Sequence, residues 1–261
     1  MKYPNIVKNF LRAPIIINIL NLFLLKYLKL KKILPSEFSG PGRFFMASPD
    51  DIFIFSYVRS GNVWLRFFIA NLIFQKEKIN LSNVNDYIGE LAITNEKKLQ
   101  KQKKPRIYSG HDYFDPRFKK VIYLIRDPRD VLTSLYPYLI SLGVISKKCS
   151  RTEFLKKYFK EEFNANFGSW NENIGSWIGI NDEKKIKIIK YENLAKNILK
   201  ETLKICKFLK IKKTKKQINT AIKKSGVFRG EVGLWKKFFS KKDVNEIIKH
   251  CGKNMKLLGY K

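Results

Sequence analysis

Short runs of β-branched and aromatic residues alternate with longer segments of helical periodicity, and this alternation constrains the fold more than any other feature of the chain. The strand-like runs cover residues 51–57, 105–110, 120–125 and 185–191. The helical patterns lie between or after them, at 63–75, 128–142, 167–180 and 196–209. Such alternation is typical of a parallel sheet covered by helices on both faces. We therefore predict an α/β fold: a single three-layer domain with a central, mostly parallel sheet, in which ligands bind beyond the carboxyl ends of the strands.

The first 35 residues stand apart from this alternation because they contain the most apolar stretch of the chain. From Ala13 to Leu25 there are 13 residues without a charge, fewer than the roughly 20 that cross a bilayer. Asn18 and Asn21 fall on one face of a predicted amphipathic helix whose remaining surface is apolar. Two interpretations stay open: the helix packs on its own domain, or residues 13–30 make peripheral contact with a membrane surface.

The next segment, residues 36–50, contains several Gly, Pro and Ser residues and is predicted to be a connector. A chain of 261 residues is long enough for one large α/β domain. We therefore divide the sequence into the N-terminal helix, this connector and one main domain at 51–261.

Basic residues outnumber acidic ones: 53 Lys and Arg stand against 22 Asp and Glu, for a formal charge of +31. The excess favours an anionic partner, but a general over-use of Lys, Ile and Asn accounts for it equally well. The three cysteines lie far apart without a CxxC motif, which favours a reduced, cytoplasmic compartment, with membrane association as the second option. The two histidines are too few for a His-rich metal site.

A polar tetrapeptide follows the first strand-like run and precedes a helical pattern: Arg59, Ser60, Gly61 and Asn62. A strand that leads through such a loop into a helix brings together unpaired backbone N–H groups, the positive end of a helix dipole and a guanidinium. This combination predicts an anion site. It is not the common nucleotide-binding loop, because the GxxxxGK[ST] pattern is absent.

A second polar stretch follows the strand-like run at 120–125. Arg126 ends that run, and Ser134 lies about two helical turns further on. The guanidinium and the hydroxyl can both donate to a phosphate. The alternative is that Arg126 pairs with Asp127 or Asp130 at a helix cap.

Four motifs in this order resemble the sulfotransferase family: YVRSGNVWLR, LIRDPRDVLTSLY, KIIKYENL and FRGEVGLWKKFFS. The resemblance covers about residues 51–240. Members of that family transfer the sulfuryl group of 3′-phosphoadenosine 5′-phosphosulfate (PAPS) to a hydroxyl or amine. The resemblance implies that residues 51–261 form a PAPS-dependent sulfotransferase domain.

The resemblance also implies roles for the loop after the first strand. Arg59 takes the place of a lysine that stabilises charge on the bridging oxygen as the sulfuryl group leaves. Trp64 is expected to stack on the adenine. Four residues are expected around the 5′-phosphosulfate: Ser60, Gly61, Asn62 and Val63.

Further residues match the other end of the PAPS site. Arg126 and Ser134 match a pair that binds the 3′-phosphate, and Tyr191 matches a tyrosine near the adenine. Arg229 and Gly230 match a C-terminal lid that closes over the 3′-phosphate.

His111 follows the second strand-like run, where much of the family has its catalytic base. A lone histidine is more often structural than catalytic, but the position favours a base. The pKa range of an imidazole suits the removal of a proton from an acceptor hydroxyl.

The chain departs from the family pattern at several positions. Arg59 replaces the usual lysine, Val63 replaces a threonine, and Ser109 stands where many members have a second lysine. Phe228 and Arg229 replace the Arg-Lys of the lid. Lower cofactor affinity or a slower step is expected from these changes, rather than loss of function.

Two other function classes share some of these features. A nucleotide-dependent phosphotransferase has the same strand, loop and helix, but needs Mg²⁺ ligands that the sequence does not place. A basic nucleic-acid-binding protein fits the net charge, but its motifs are absent and the basic residues are spread evenly. We expect no nucleic-acid partner and no metal, because arginines and helix dipoles neutralise the bound anion.

The acceptor class stays open among small molecules, glycans and lipids. We assign acceptor specificity to the segments 141–170 and 75–105. Trp170 and Trp177 lie seven residues apart on a predicted helix and therefore share a face. Packing is the favoured role for these two side chains, and stacking on a sugar is the alternative.

Overall fold

The computed structural model of the chain describes residues 47–91, 99, 101–102, 105–162, 167–180, 182–226 and 229–261. The predicted N-terminal helix, most of the connector and Phe228 lie outside these residues, so the three-part division of the chain stays a prediction. Within the described ranges, no helix combines the length and the apolar character that a bilayer-spanning segment requires.

In the part of the chain that the structure describes, five parallel strands form one sheet in the order β2-β3-β1-β4-β5. Their bounds are Ile52–Ser56 (β1), Ile88–Glu90 (β2), Ile107–Gly110 (β3), Val121–Ile125 (β4) and Ile186–Lys190 (β5). All strands except β2 lie inside the predicted runs. β2 has only 3 residues and pairs at the sheet edge with β3, and so short a segment has too few positions to show a periodicity.

Helices cover both faces of the sheet, and the four that the periodicity predicts begin close to the expected residues. In chain order they are Asn62–Ile73 (α1), Val84–Tyr87 (α2), Pro128–Ser141 (α3), Arg151–Phe159 (α4), Trp170–Ile178 (α5), Tyr191–Lys196 (α6), Ile198–Leu209 (α7), Lys215–Ser225 (α8), Trp235–Phe238 (α9) and Lys241–Leu257 (α10). The sequence predicts α1, α3, α5 and α7, and it misses the others. The predicted α/β fold with a parallel sheet flanked by helices is confirmed.

Alternate residues of each strand enter two separate hydrophobic cores. Phe53 and Phe55 of β1 belong to the core beneath α3, α4, α5 and α10. Ile52 and Ile54 belong to the core beneath α1, α7 and α8. Strands that are buried on both faces lack a polar alternation, which explains why their sequences are continuous apolar runs.

The strand order places β1 at the centre of the sheet, between β3 and β4. After β1 the chain moves to β2 at one edge, and after β4 it moves to β5 at the other edge. Such a reversal opens a crevice at the carboxyl ends of the central strands. The loops after β1, β3 and β4 therefore converge, and they carry Arg59, His111 and Arg126.

Candidate active site

A cavity of about 530 Å³ lies at the carboxyl ends of β1, β3 and β4. All of the residues that the sequence predicts for the site line this cavity, except Ser60 and Arg229. The remaining lining residues are Val58, Glu90, Tyr138, Leu142 and Phe167. Leu142 and Phe167 come from segment 141–170 and Glu90 comes from segment 75–105, the two segments assigned to acceptor specificity.

The loop after β1 makes a tight turn into α1. Arg59 has φ 62 and Gly61 has φ 101, both in the left-handed region, where a residue with a side chain is strained. Gly61 is the N-cap of α1 and contributes no side-chain cap. The first N–H groups of α1 are therefore available to an anion, as the sequence predicts. The Ser60 hydroxyl is fully buried and has no hydrogen-bond partner in the structure.

Asn62 fastens this loop to the strand ends. Its side-chain amide donates to the Ile54 carbonyl at 3.4 Å, the Ser56 hydroxyl at 3.3 Å and the Gly110 carbonyl at 3.3 Å. These contacts use the amide hydrogens for support of the loop, so Asn62 faces the cavity without a free side-chain donor. The next residue, Val63, has 48% of its surface exposed at the cavity mouth.

Arg59 bridges the β1 loop and α3. Its Nε donates to the Ser134 hydroxyl at 3.1 Å, and its guanidinium carbon lies 4.5 Å from the centroid of the Tyr138 ring. Burial lowers the pKa of the Arg59 guanidinium from its ordinary value. The structure thus brings the predicted 5′-phosphosulfate residue into contact with the predicted 3′-phosphate residue.

Arg126 does not pair with either neighbouring aspartate, so the helix-cap alternative is wrong. Asp127 instead pairs with Arg129 at 2.6 Å, and Asp130 accepts the backbone N–H groups of Gly233 and Trp235. Both aspartates are thereby occupied by groups other than Arg126.

The Arg126 guanidinium is buried at the wall of the cavity. Its Nη2 donates to the Glu231 carbonyl at 2.7 Å and its Nη1 donates to the Arg59 carbonyl at 3.4 Å. The guanidinium carbon lies 4.4 Å from the Tyr191 ring centroid, and Nε has no hydrogen-bond partner. Arg126 is therefore a buried cation that donates to the neutral carbonyls of Glu231 and Arg59, which favours an anion beside it.

Trp64 and Tyr191 form the aromatic side of the cavity. Their ring centroids lie 5.3 Å apart at an interplanar angle of 69°, an edge-to-face contact. The Tyr191 hydroxyl donates to the Gly230 carbonyl at 2.7 Å, and burial raises its pKa. Trp64 Nε1 is buried without a hydrogen-bond partner. The stacking of Trp64 on an adenine stays a prediction.

The structure does not bring Arg229 into the cavity. Arg229 is exposed as a residue, and its guanidinium donates to the Ala195 carbonyl at 2.6 Å. That carbonyl belongs to the C-terminal end of α6, where the negative end of the helix dipole attracts a cation. In this conformation Arg229 does not reach the position that the resemblance to the family implies.

His111 directly follows β3 and lines the same cavity as Arg126. Its Nδ1 lies 2.8 Å from the Ser56 carbonyl oxygen. A carbonyl only accepts hydrogen bonds, so Nδ1 carries the proton and Nε2 carries the lone pair. Burial lowers the pKa of His111, against smaller opposing effects of Glu90 and the Ser56 carbonyl. The imidazole is therefore neutral at neutral pH and suited to accept a proton.

A buried ion pair beside this histidine is missing from the sequence-based site. Arg66 Nη1 lies 2.6 Å from Glu90 Oε2, and the Ser109 hydroxyl donates to the same oxygen at 2.9 Å. Arg66 also donates to Ser109 at 3.3 Å. Ser109 stands where the family pattern has a lysine, so Arg66 supplies a positive charge at that position from α1. The sequence patterns did not indicate either residue, because Arg66 lies inside an apolar helical run and Glu90 lies in the unpredicted strand β2.

Trp170 and Trp177 are both fully buried, which confirms the packing role and excludes the sugar-stacking alternative. Trp170 Nε1 donates to the Arg126 carbonyl at 3.1 Å, and Trp177 Nε1 donates to the Asp112 carbonyl at 3.1 Å. The two indoles therefore anchor the loops after β4 and β3 on α5.

Comparison with known proteins places this architecture among sulfotransferases. The family model described as "Sulfotransferase domain" matches residues 49–259. A 3-alpha-hydroxysteroid sulfotransferase of Cavia porcellus is 27% identical over 176 residues, which are 63% of this chain and 60% of that protein. Sulfotransferase 2B1 of Homo sapiens is 32% identical over 172 residues, which are 61% of this chain and 46% of that protein. The chain spans between 46% and 66% of the length of these and similar curated relatives.

Solved structures share the fold. The crystal structure of mouse sulfotransferase SULT7A1 complexed with PAP has a TM-score of 0.66 and 23% identity, and covers 81% of this chain and 85% of that chain. Retinol dehydratase in complex with androsterone and the inactive cofactor PAP has a TM-score of 0.65 and 17% identity, and covers 81% of this chain and 82% of that chain.

Proposed function

This chain belongs to the sulfotransferase family, whose domain model spans residues 49–259, and from that membership we propose that it transfers a sulfuryl group from PAPS to a hydroxyl or amine of an acceptor. One observation carries the proposal. A single cavity joins the cations Arg59 and Arg126 and the N-terminus of α1 to a histidine, His111, whose Nε2 lone pair is free to accept a proton. The anionic donor needs the cations and the helix N-terminus, and the acceptor, which has to lose a proton, needs the histidine.

Buried polar atoms in and beneath the cavity support an anionic nucleotide as the ligand. Ser60 Oγ, Trp64 Nε1 and Arg126 Nε are all buried donors without hydrogen-bond partners. A buried donor that stays unpaired costs about 1–3 kcal/mol, so such atoms are normally satisfied by a ligand or by water. Three of them around one strand-loop-helix anion site fit a ligand with several phosphate oxygens.

Charge neutralisation in this proposal comes from the chain itself. The N–H groups at the start of α1 and the Arg59 guanidinium face the sulfuryl end, while Arg126 and the Ser134 hydroxyl face the 3′-phosphate. We propose no metal, since the guanidinium groups and the helix dipole oppose the negative charge that grows on the departing phosphate oxygen. Arg229 takes part only after its guanidinium leaves the Ala195 carbonyl.

His111 acts as the general base in the proposed reaction. The acceptor oxygen forms a bond to sulfur while the bond from sulfur to the bridging phosphate oxygen breaks. The acceptor proton moves to His111 Nε2, and adenosine 3′,5′-bisphosphate leaves. The Ser56 carbonyl holds the ring in the tautomer that this transfer requires.

The cavity wall near His111 favours an acceptor with an apolar body. Phe167 contacts the His111 ring edge-to-face at 5.4 Å, and Leu142 and Tyr138 extend the same wall. One of the relatives named above is a 3-alpha-hydroxysteroid sulfotransferase. We therefore place small apolar alcohols and phenols first, with lipid head groups and glycans after them.

A thermal-shift experiment separates the proposed function from its competitors. The protein is heated with adenosine 3′,5′-bisphosphate, with ATP and Mg²⁺, or with duplex DNA. Stabilisation by the bisphosphate alone supports a PAPS site, whereas stabilisation by ATP with Mg²⁺ alone indicates a phosphotransferase, and by DNA alone a nucleic-acid-binding protein. Transfer of radiolabel from PAPS to members of an acceptor pool then tests the activity and identifies the acceptor class.

Peripheral membrane contact through residues 13–30 is a separate proposal that rests on the sequence pattern. Flotation of the full chain with liposomes is compared with that of a chain that starts at Ser36. Loss of flotation in the shorter chain supports the contact, and equal behaviour of the two chains removes it.

A further inference from the structure

A buried aspartate on α3 holds the segment that forms one wall of the cavity. We call residues 229–235 the lid segment; its Gly230 lines the cavity. Asp130 Oδ2 accepts the Gly233 N–H at 2.7 Å, and Asp130 Oδ1 accepts the Trp235 N–H at 3.2 Å. Only 2% of Asp130 is exposed, so both carboxylate oxygens are committed to the lid segment in a nonpolar environment, where such hydrogen bonds are strong.

The neighbouring residue, Arg129, contacts the same segment through its side chain. The Arg129 guanidinium pairs with Asp127, and its carbon lies 3.9 Å from the Trp235 ring centroid. Trp235 is thus held twice, through its backbone by Asp130 and through its ring by Arg129. The first turn of α3 therefore binds the C-terminal end of the lid segment.

The other end of the lid segment contacts the cavity residues directly. The Glu231 carbonyl accepts from Arg126 at 2.7 Å, and the Gly230 carbonyl accepts from the Tyr191 hydroxyl at 2.7 Å. Release of Gly233 and Trp235 from Asp130 would allow these carbonyls to move away from Arg126 and Tyr191. Arg126 follows β4 directly and Asp130 lies in the first turn of α3, so the short connection between these two elements links the anion-binding guanidinium to the anchor of the lid segment.

We propose that Asp130 is a positioning residue that holds the lid segment against the Arg126 end of the cavity and thereby retains the bound adenosine nucleotide. The retention of the nucleotide rests on the proposed PAPS site, whereas the anchoring of the lid segment by Asp130 does not. Asp130 contacts neither reacting atom and acts through the lid segment. Its removal should weaken the binding of ligands that carry a 3′-phosphate more than the binding of ligands that lack one.

The first test needs no nucleotide. Hydrogen exchange of the lid segment is measured in the ligand-free protein and in Asp130→Asn, which keeps the shape of the side chain but turns an N–H group toward one of the two lid amides. Faster exchange confined to the lid segment supports the proposal, and unchanged exchange there overturns it. The matched control is Asp243→Asn, which alters another buried aspartate that accepts the N–H of Ser240, away from the lid segment.

The second test uses two ligands. The Kd of adenosine 3′,5′-bisphosphate should rise about 10-fold in Asp130→Asn, the change expected from the loss of one charge-assisted hydrogen bond, while the Kd of adenosine 5′-monophosphate should change much less. Equal weakening of both ligands, or no weakening of either, overturns the role in nucleotide retention. A wild-type protein that binds neither ligand refutes the PAPS site and this retention role, and the exchange measurement still decides whether Asp130 anchors the lid segment.

A second variant covers the case in which Asp130→Asn does not fold. Trp235→Leu removes the ring on which Arg129 stacks, at a half-buried position on the margin of the core beneath α3, α4, α5 and α10. It should accelerate exchange of the lid segment in the same way and raise the Kd of the bisphosphate selectively. Exchange and selectivity equal to those of the wild type would overturn the proposal.

Discussion

Replacement of Gly61 by alanine tests the loop after β1, because a side chain at this position meets the aromatic wall of the cavity. Gly61 has φ +101, and a Cβ atom built there would lie 2.6 Å from Cε2 and 2.7 Å from Cδ2 of Tyr191. The Tyr191 ring has little room to retreat. Its hydroxyl is bonded to the Gly230 carbonyl, the Arg126 guanidinium lies over one face, and Trp64 contacts it edge-to-face.

Two costs contribute to the expected loss of stability. A residue with a Cβ in the left-handed region costs about 1–2 kcal/mol, and the overpacking of a filled site costs about 1–3 kcal/mol more. Alanine also restricts the unfolded chain relative to glycine, which offsets the loss of stability by about 0.4–1 kcal/mol. The control Gly143→Ala has φ +69 with no atom within 4 Å of the added Cβ, so it carries the backbone cost without the overpacking.

Urea denaturation of the two variants separates these costs. We expect Gly61→Ala to lose about 1–3 kcal/mol more than Gly143→Ala, the overpacking contribution alone. We also expect Gly61→Ala to bind adenosine 3′,5′-bisphosphate more weakly, since the Tyr191 ring has to move away from Arg126 and Gly230, whereas Gly143→Ala should bind it normally. Equal losses of stability in the two variants, with unchanged bisphosphate affinity, would refute the close approach of Gly61 and Tyr191.

Further predictions concern His111, Arg59 and Glu90. His111→Ala should lower kcat about 10²–10⁴-fold without weakening bisphosphate binding, as isothermal titration would show; wild-type turnover would refute the base. Because burial lowers the pKa of His111, the acid limb of kcat/KM should lie below about pH 6.5. Because the His111 pKa is higher in the unfolded chain than in the folded one, the free energy of unfolding should fall as the pH drops below about 6.5. His111→Asn should reduce this pH dependence, as urea denaturation at several pH values would show. Arg59→Ala should lower kcat about 10²–10³-fold while Arg59→Lys keeps most of the activity; equal kcat values for Ala, Lys and wild type would exclude a role for this charge. Glu90→Ala leaves Arg66 as an unpaired buried cation and should destabilise the fold by about 3–5 kcal/mol, and urea denaturation that shows less than about 1 kcal/mol would contradict the ion pair.

Local sequence patterns were sufficient for those parts of the fold that local chemistry determines. β1 and β4 are continuous apolar runs because both of their faces are buried, and α1 follows from apolar residues at helical spacing. β2 escapes this reasoning because its 3 residues acquire strand geometry only through pairing with β3. Its existence depends on a contact between distant parts of the chain rather than on its own residues.

The same limit applies to the site. The motifs pointed to the loop of Arg59, the strand end at Arg126 and His111, all of which line the cavity, since each follows a strand whose position is predictable. They did not identify Arg66, because its partner Glu90 lies 24 residues away in the unpredicted strand β2. They also did not reveal that Arg229 turns toward the Ala195 carbonyl, 34 residues away. Side-chain direction in these cases is decided by tertiary partners that a motif does not contain.

The five residues from Arg126 to Asp130 show how tertiary contacts divide the tasks of one motif. Two arginines and two aspartates in so short a stretch have several alternative ion pairs, and the sequence alone favours a helix-cap pair that includes Arg126. In the fold, Asp127 caps α3 and forms an ion pair with Arg129. Asp130 accepts the backbone N–H groups of Gly233 and Trp235, the latter 105 residues further along the chain. Because both carboxylates are occupied in this way, the Arg126 guanidinium is left with carbonyl partners and an unpaired Nε. By occupying Asp130, the lid segment keeps a second carboxylate from neutralising Arg126, the cation that we propose binds the anion.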